Sequence, residues 1–292
     1  MTCMQSQSLG VAIVTGASSG IGTAYAEQLA ERGYKLVLVA RRRDRLELLA
    51  GKILSRYGVE SEVVAADLTN KVHLTALEED IAKRGDVSLL VNNAGSGAMG
   101  PTAQFDANRI EGLIHLNVVA LARLSHAALA GFRIRGGGAL INIGSIVSYR
   151  PSPIAATYTA TKAFASNFTR SLQMEYRDSK IAIQLVQPGP VKTEFFEASQ
   201  APSGVFSQAS FMTPEQLVRA ALLGLDRGET VTTPSLADLT RWEQLERAQK
   251  EFLAGATSGL VALRYSHLGA TPAYANSHQA AESDPVRRSD RR

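Results

Sequence analysis

The chain has 292 residues, of which 45% are hydrophobic and 20% charged, the composition of an ordinary globular protein rather than a disordered one. Lys and Arg number 31 against 27 Asp and Glu, a mild excess that gives no nucleic-acid footprint. A single cysteine, Cys3, excludes an intrachain disulfide and fits a reducing compartment.

No apolar run approaches a membrane span, so none is expected. Residues 1–10 lack a basic and an apolar region, so no secretory signal is expected and a cytoplasmic location is. The first apolar run, 10–15, has the β-branched content of a strand buried on both faces. A glycine-rich turn follows, then a helix over about 21–32 that stops at Gly33. Strands are predicted at 35–40, 59–65, 87–92, 139–143, 181–186 and 230–233. Helices are predicted between them at 44–57, 70–83, 106–131, 157–177 and 214–227, the last with Thr213 as N-cap and Pro214 at its first position.

This alternation implies βαβ units. The predicted fold is α/β: a Rossmann-like, doubly wound and mostly parallel sheet of about seven strands with helices on both faces. One domain over 1–255 is expected, with a charged helix near 236–253, a mobile substrate lid over 190–213 and a C-terminal extension over 256–292 that is disordered after about 276.

The first strand runs into Thr15-Gly16-Ala17-Ser18-Ser19-Gly20-Ile21-Gly22. Glycines here permit a tight turn and close backbone approach to a pyrophosphate at a helix N-terminus. The tip of the second strand offers Arg41 and Arg42 where an acid would bind a ribose 2′-hydroxyl. Guanidinium groups suit a 2′-phosphate, so NADP(H) is predicted over NAD(H).

The Gly-x-x-x-Gly-x-Gly spacing resembles the short-chain dehydrogenase/reductase family. Three further segments resemble the same family in the right order. Asp67 and Leu68 follow the third strand, Asn93, Ala94 and Gly95 the fourth, and Pro188, Gly189, Val191 and Thr193 the sixth. The resemblance implies adenine contacts at Asp67 and Leu68 and nicotinamide contacts at the Pro-Gly loop. It covers roughly residues 9–235.

Tyr158 and Lys162 stand four apart, hence on one face of the predicted helix, and Ser145 lies thirteen residues before Tyr158. This order is similar to the family's catalytic set, with Asn117 as its fourth member. The resemblance assigns Tyr158 as general acid or base, with Lys162 and the positive charge of oxidised nicotinamide lowering its pKa and Lys162 binding the nicotinamide ribose. Ser145 would stabilise the substrate oxygen, and the Asn117 backbone carbonyl would hold a water leading to Lys162.

The five histidines lack metal-ligand spacing, so no metal is expected. A serine hydrolase is not expected. Phe195, Phe196, Phe206 and Phe211 read as lid anchors, and Phe195, Phe196, Met99, Val147 and Tyr149 as an apolar substrate wall.

The expected activity is therefore NADPH-dependent reduction of an apolar ketone or aldehyde to an alcohol, reversibly. The alternatives are a 3-oxoacyl thioester reductase of lipid metabolism and a non-catalytic NADP-sensing protein; the second has no use for Tyr158. A nucleotide-sugar epimerase would carry another glycine spacing. The small residues Ala160, Ala163, Ala165 and Ser166 suggest close packing against a second subunit, hence a homodimer or homotetramer.

Overall fold

The computed structural model describes residues 9–201 and 206–265; the predicted disorder after about 276 lies outside the described residues. By its contacts the chain divides into two compact units, Met1–Leu236 and Ala237–Arg292. The break precedes the expected boundary near 255, so the charged C-terminal helix, α9 (Thr240–Ala256), belongs to the second unit.

The first unit holds one parallel sheet of seven strands in the order β3-β2-β1-β4-β5-β6-β7. The strands are β1 (Val11–Thr15), β2 (Lys35–Ala40), β3 (Ser61–Ala65), β4 (Val87–Asn92), β5 (Gly138–Ile143), β6 (Ile181–Val186) and β7 (Val231–Thr232). The central strands are buried on both faces, as their unbroken apolar runs require. Helices α1 (Gly20–Glu31), α2 (Arg43–Tyr57) and α8 (Pro214–Asp226) pack one face through Tyr25, Leu29, Leu46, Ile53 and Leu217. Helices α3 (Lys71–Lys83), α5 (Leu121–Arg135) and α6 (Ala156–Glu175) pack the other through Leu74, Leu124, Phe132 and Leu172. Strand order reverses between β1 and β4. Ligands of open α/β sheets bind at that point, beyond the strands' carboxyl ends.

Local chemistry sets several boundaries. Gly33 takes φ +93° at the end of α1. Thr213 Oγ1 accepts the Gln216 N–H at 3.2 Å, and the Gln216 side chain accepts the Thr213 N–H at 3.0 Å, a reciprocal cap for α8.

Three expectations are corrected. The long helix is α4 (Ala107–Ile114), a π-helical stretch at His115–Ala120, and α5, running unbroken to Arg135. Its most apolar window has mean hydropathy 1.4, so by length and composition it could cross a membrane, contrary to the expectation that no run comes close. Half of that window is buried, and α5 packs on α3, β4 and β5, as a core helix does. Ala160, Ala163, Ala165 and Ser166 do not share a free face. Ala165 and Ser166 are buried inside the fold, because helical steps of about 100° place them away from the exposed Ala160.

Candidate active site

Loops at the carboxyl ends of the strands enclose a cavity of about 460 Å3. All the site residues predicted from sequence line it except Gly22 and Asn117, which support it from behind.

The glycine loop is held by its neighbours. Thr15 Oγ1 accepts the N–H groups of Asn93 and Ala94, both at 3.0 Å, and donates to the Val91 carbonyl at 3.1 Å. Asn93 Nδ2 donates to the carbonyls of Thr15 at 2.9 Å and Gly16 at 3.3 Å. The chain turns through positive φ at Gly16 (+68°). A Cβ on Gly22 would stand 2.2 Å from the Gly16 carbonyl oxygen, so α1 and the loop meet backbone to backbone there. Ser19 ends the loop without capping α1 through its side chain. The resulting cradle, with α1's positive dipole end behind it, fits a pyrophosphate.

At the tip of β2, Arg42 lies across the loop. Its Nη2 donates to Ser19 Oγ at 2.9 Å and Ser18 Oγ at 3.1 Å, and its Nη1 to Glu194 Oε2 at 3.1 Å. Arg41 makes no hydrogen bond or ion pair among the described residues. Thr69 hydrogen bonds, with the charges of Arg41 and His73, outweigh burial and hold the Asp67 carboxyl below the usual range.

At the other end, β5 delivers Ser145 and α6 delivers Tyr158 and Lys162, all three buried. Ser145 Oγ accepts the Val147 N–H at 3.4 Å and hydrogen-bonds the Tyr158 phenol. Burial pushes Tyr158 up to about 12, against the lowering effect of the Ser145 hydrogen bond. Burial pushes the Lys162 ammonium down to about 8, and Lys162 Nζ donates to the Ile143 carbonyl at 2.9 Å. In the protein alone, burial dominates both groups.

Asn117 sits in the π-helical turn and serves through its side chain. Oδ1 accepts the Ser96 N–H at 2.9 Å, while Nδ2 donates to the Ser96 carbonyl at 2.9 Å and to Thr161 Oγ1 at 3.0 Å. It thereby ties the loop after β4 to the catalytic helix α6.

Of the residues expected to form an apolar substrate wall, Met99, Val147, Phe195 and Phe196 line the cavity, and Phe206 lines it beside them. Phe195 packs on Tyr158 with ring centroids 5.4 Å apart. Tyr149 is not part of the wall. Its hydroxyl lies 3.1 Å from Ser166 Oγ and beside Gln187, behind Ser145. Phe211 is also outside the wall, packed edge-on against Phe196 at 5.1 Å. The stretch expected as a lid, described apart from residues 202–205, contains a one-turn helix, α7 (Phe195–Ala198). Glu194 and Ser199 line the cavity and were missed. No sequence motif marks Glu194, whose partners Arg42 and Arg45 lie 152 and 149 residues away.

Residues 10–203 match the short chain dehydrogenase family. The chain belongs to that family: an oxidoreductase of the class acting on CH–OH and C=O groups through a nicotinamide cofactor. Among solved structures it is similar to a short-chain dehydrogenase from Sphingobium yanoikuyae in complex with NADPH. The two are 39% identical with a TM-score of 0.83, covering 88% of this chain and 100% of that one. It is also similar to the bulky-bulky ketone specific alcohol dehydrogenase from Comamonas testosteroni, at 35% identity and TM-score 0.81, covering 89% of this chain and 100% of that one. A very-long-chain 3-oxoacyl-CoA reductase from Anas platyrhynchos is 35% identical over 215 residues, covering 72% of this chain and 67% of that protein.

Proposed function

We propose that this protein is an NADPH-dependent reductase of apolar ketones and aldehydes. The observation that carries the reading is the character of the cavity. Its charged lining residues are Arg41, Arg42, Asp67 and Glu194 at one end and Lys162 at the catalytic face, among the described residues. Around the substrate position the walls are Met99, Ile146, Val147, Ile154, Ala155, Phe195, Phe196 and Phe206. Such a wall suits hydrocarbon on both sides of a carbonyl, and the ketone-specific relative supports the same reading.

The glycine loop, Asp67, Leu68, Asn93, Ala94 and Gly95, and the Pro188–Thr193 loop would hold the cofactor, with Arg41 and Arg42 on its 2′-phosphate. When bound, the reduced nicotinamide supplies the hydride. The protein's task is to hold the carbonyl and deliver a proton. Ser145 donates a hydrogen bond to the carbonyl oxygen and stabilises the charge that develops there. Tyr158, kept protonated by burial, gives its phenolic proton to that oxygen as the alcohol forms. Lys162, charged below about pH 8, stabilises the phenolate left when that proton departs. Asn117 keeps the β4 loop and α6 in register while this occurs.

The second reading, a 3-oxoacyl thioester reductase, is favoured by the relative from Anas platyrhynchos. Its substrate carries phosphates that would need cations at the cavity's substrate end, and the lining there has none among the described residues. The two readings separate by kcat/KM for an aryl alkyl ketone against a long-chain 3-oxoacyl-CoA, each with NADPH and NADH. Higher kcat/KM for the ketone with NADPH is expected. Higher kcat/KM for the thioester, or for NADH, overturns the corresponding part.

A further inference from the structure

The acidic residue Glu194 stands in the most basic corner of the cavity. It directly precedes the lid helix α7 as its N-cap. Its Oε1 lies 2.7 Å from Arg45 Nη1 and its Oε2 3.1 Å from Arg42 Nη1. These bonds, Arg45 first, hold its carboxyl below the usual carboxylate range. Arg42 is the same guanidinium that lies on the Ser18 and Ser19 hydroxyls. Carboxylate and glycine loop therefore share one cation, and Arg41, Arg42 and Glu194 line one continuous wall.

We propose that Glu194 is a specificity-determining residue of the cofactor site: its carboxylate competes with a ribose 2′-phosphate for Arg42, and Arg45 retains it when the phosphate takes over. The inference rests on the reading that the 2′-phosphate lies at Arg41 and Arg42. The exchange is cheap because all three side chains are about half exposed, at 53% for Glu194 and 40% for each arginine. An exposed ion pair contributes little, whereas a phosphate carries nearly twice the charge and three acceptor oxygens. Glu194 still disfavours the phosphate, since it subtracts a charge from a cluster of three arginines and repels a second anion nearby. Arg45 lessens that penalty by giving the carboxylate somewhere else to bond. A dinucleotide without the phosphate meets none of this.

The test is calorimetric titration of the full chain with NADPH and with NADH, at low and high salt. Glu194→Gln is expected to tighten NADPH by about three- to tenfold at low salt, with a smaller gain at high salt. NADH affinity stays within about twofold. Glu194→Ala should behave alike and guards against a packing effect of the amide. Arg45→Gln is expected to weaken NADPH in the wild-type background and to have little effect beside Glu194→Gln. Unchanged or weaker NADPH binding in Glu194→Gln, or an equal gain for NADH, overturns the proposal. An equal loss from Arg45→Gln in both backgrounds overturns the role given to Arg45. Wild-type preference for NADH would refute the cofactor assignment, yet a shift confined to NADPH in Glu194→Gln would still support the competition. If the wild type prefers NADH and no variant shifts NADPH, both fall.

Discussion

Gly22→Ala strikes the point where the cofactor loop and its helix meet. An ideal Cβ there lies 2.2 Å from the Gly16 carbonyl oxygen and 2.6 Å from Asn93 Nδ2. The first neighbour is backbone, so the new methyl cannot be accommodated by turning a flexible side chain. Overpacking of this kind costs about 1–3 kcal/mol. Asn93 Nδ2 would also be pushed off the Thr15 and Gly16 carbonyls, now 2.9 and 3.3 Å away, at about 1 kcal/mol each. The loss is therefore roughly 2–4 kcal/mol, since the two effects overlap in the same displacement. For a domain of this size that lowers Tm by roughly 5–15 °C. Thermal melts followed by circular dichroism measure it, with NADPH titration alongside, and NADPH affinity should fall too. Gly51→Ala is the control: it lies in α2 with nothing within 4 Å of its added Cβ. That change should stabilise by about 0.5–1 kcal/mol. A Gly22→Ala variant melting within about 2 °C of wild type, with unchanged NADPH affinity, would refute the close-approach argument.

Two further perturbations probe buried polar groups. The Tyr25 hydroxyl is fully buried with no hydrogen-bond partner among the described residues, and burial raises its pKa. Tyr25→Phe should leave stability unchanged or raise it by about 1 kcal/mol in urea unfolding, and a clear loss would show that the hydroxyl has a partner. Burial lowers Lys162 from the ordinary 10.5 to about 8, so between those pH values the unfolded chain binds more protons and stability rises with pH. Lys162→Met should therefore be more stable than wild type below pH 8, by at most about 3 kcal/mol less the lost bond to Ile143. The gap should narrow as pH rises from 8 towards 10, above which Tyr158 titrates. Parallel stability–pH curves for the two proteins would contradict the burial of a charged lysine.

The parts of the site that sequence reveals are those whose chemistry is local. The glycine loop, the Tyr158–Lys162 pair and Thr213 with Pro214 work through neighbours a few residues away, so spacing carries them. The cofactor loops are legible because each follows a strand end in a parallel sheet. Contacts that only tertiary packing creates are not legible. Tyr149 follows Ser145 by four residues, yet whether it faces substrate or Gln187 depends on the loop just after β6, with Gln187 38 residues further on. The resemblance picks out Asn117 for its backbone carbonyl, whereas its side-chain bonds to Ser96 and Thr161 arise only where the π-helical turn meets the β4 loop and α6. The pKa directions were also hidden, because burial rather than the Tyr158–Lys162 pairing sets them. Ser145, Tyr158 and Lys162 could be picked out by type and order, but not the dryness of the pocket around them.

The central claim is that the Tyr158 phenol supplies the proton in carbonyl reduction. The direct test compares wild type with Tyr158→Phe for NADPH consumption and alcohol formation from an aryl alkyl ketone, with NADPH affinity measured separately. The account predicts stoichiometric alcohol from the wild type, a loss of turnover of about a hundredfold or more in the variant, and NADPH binding preserved within a few-fold. Turnover in Tyr158→Phe matching wild type would contradict it.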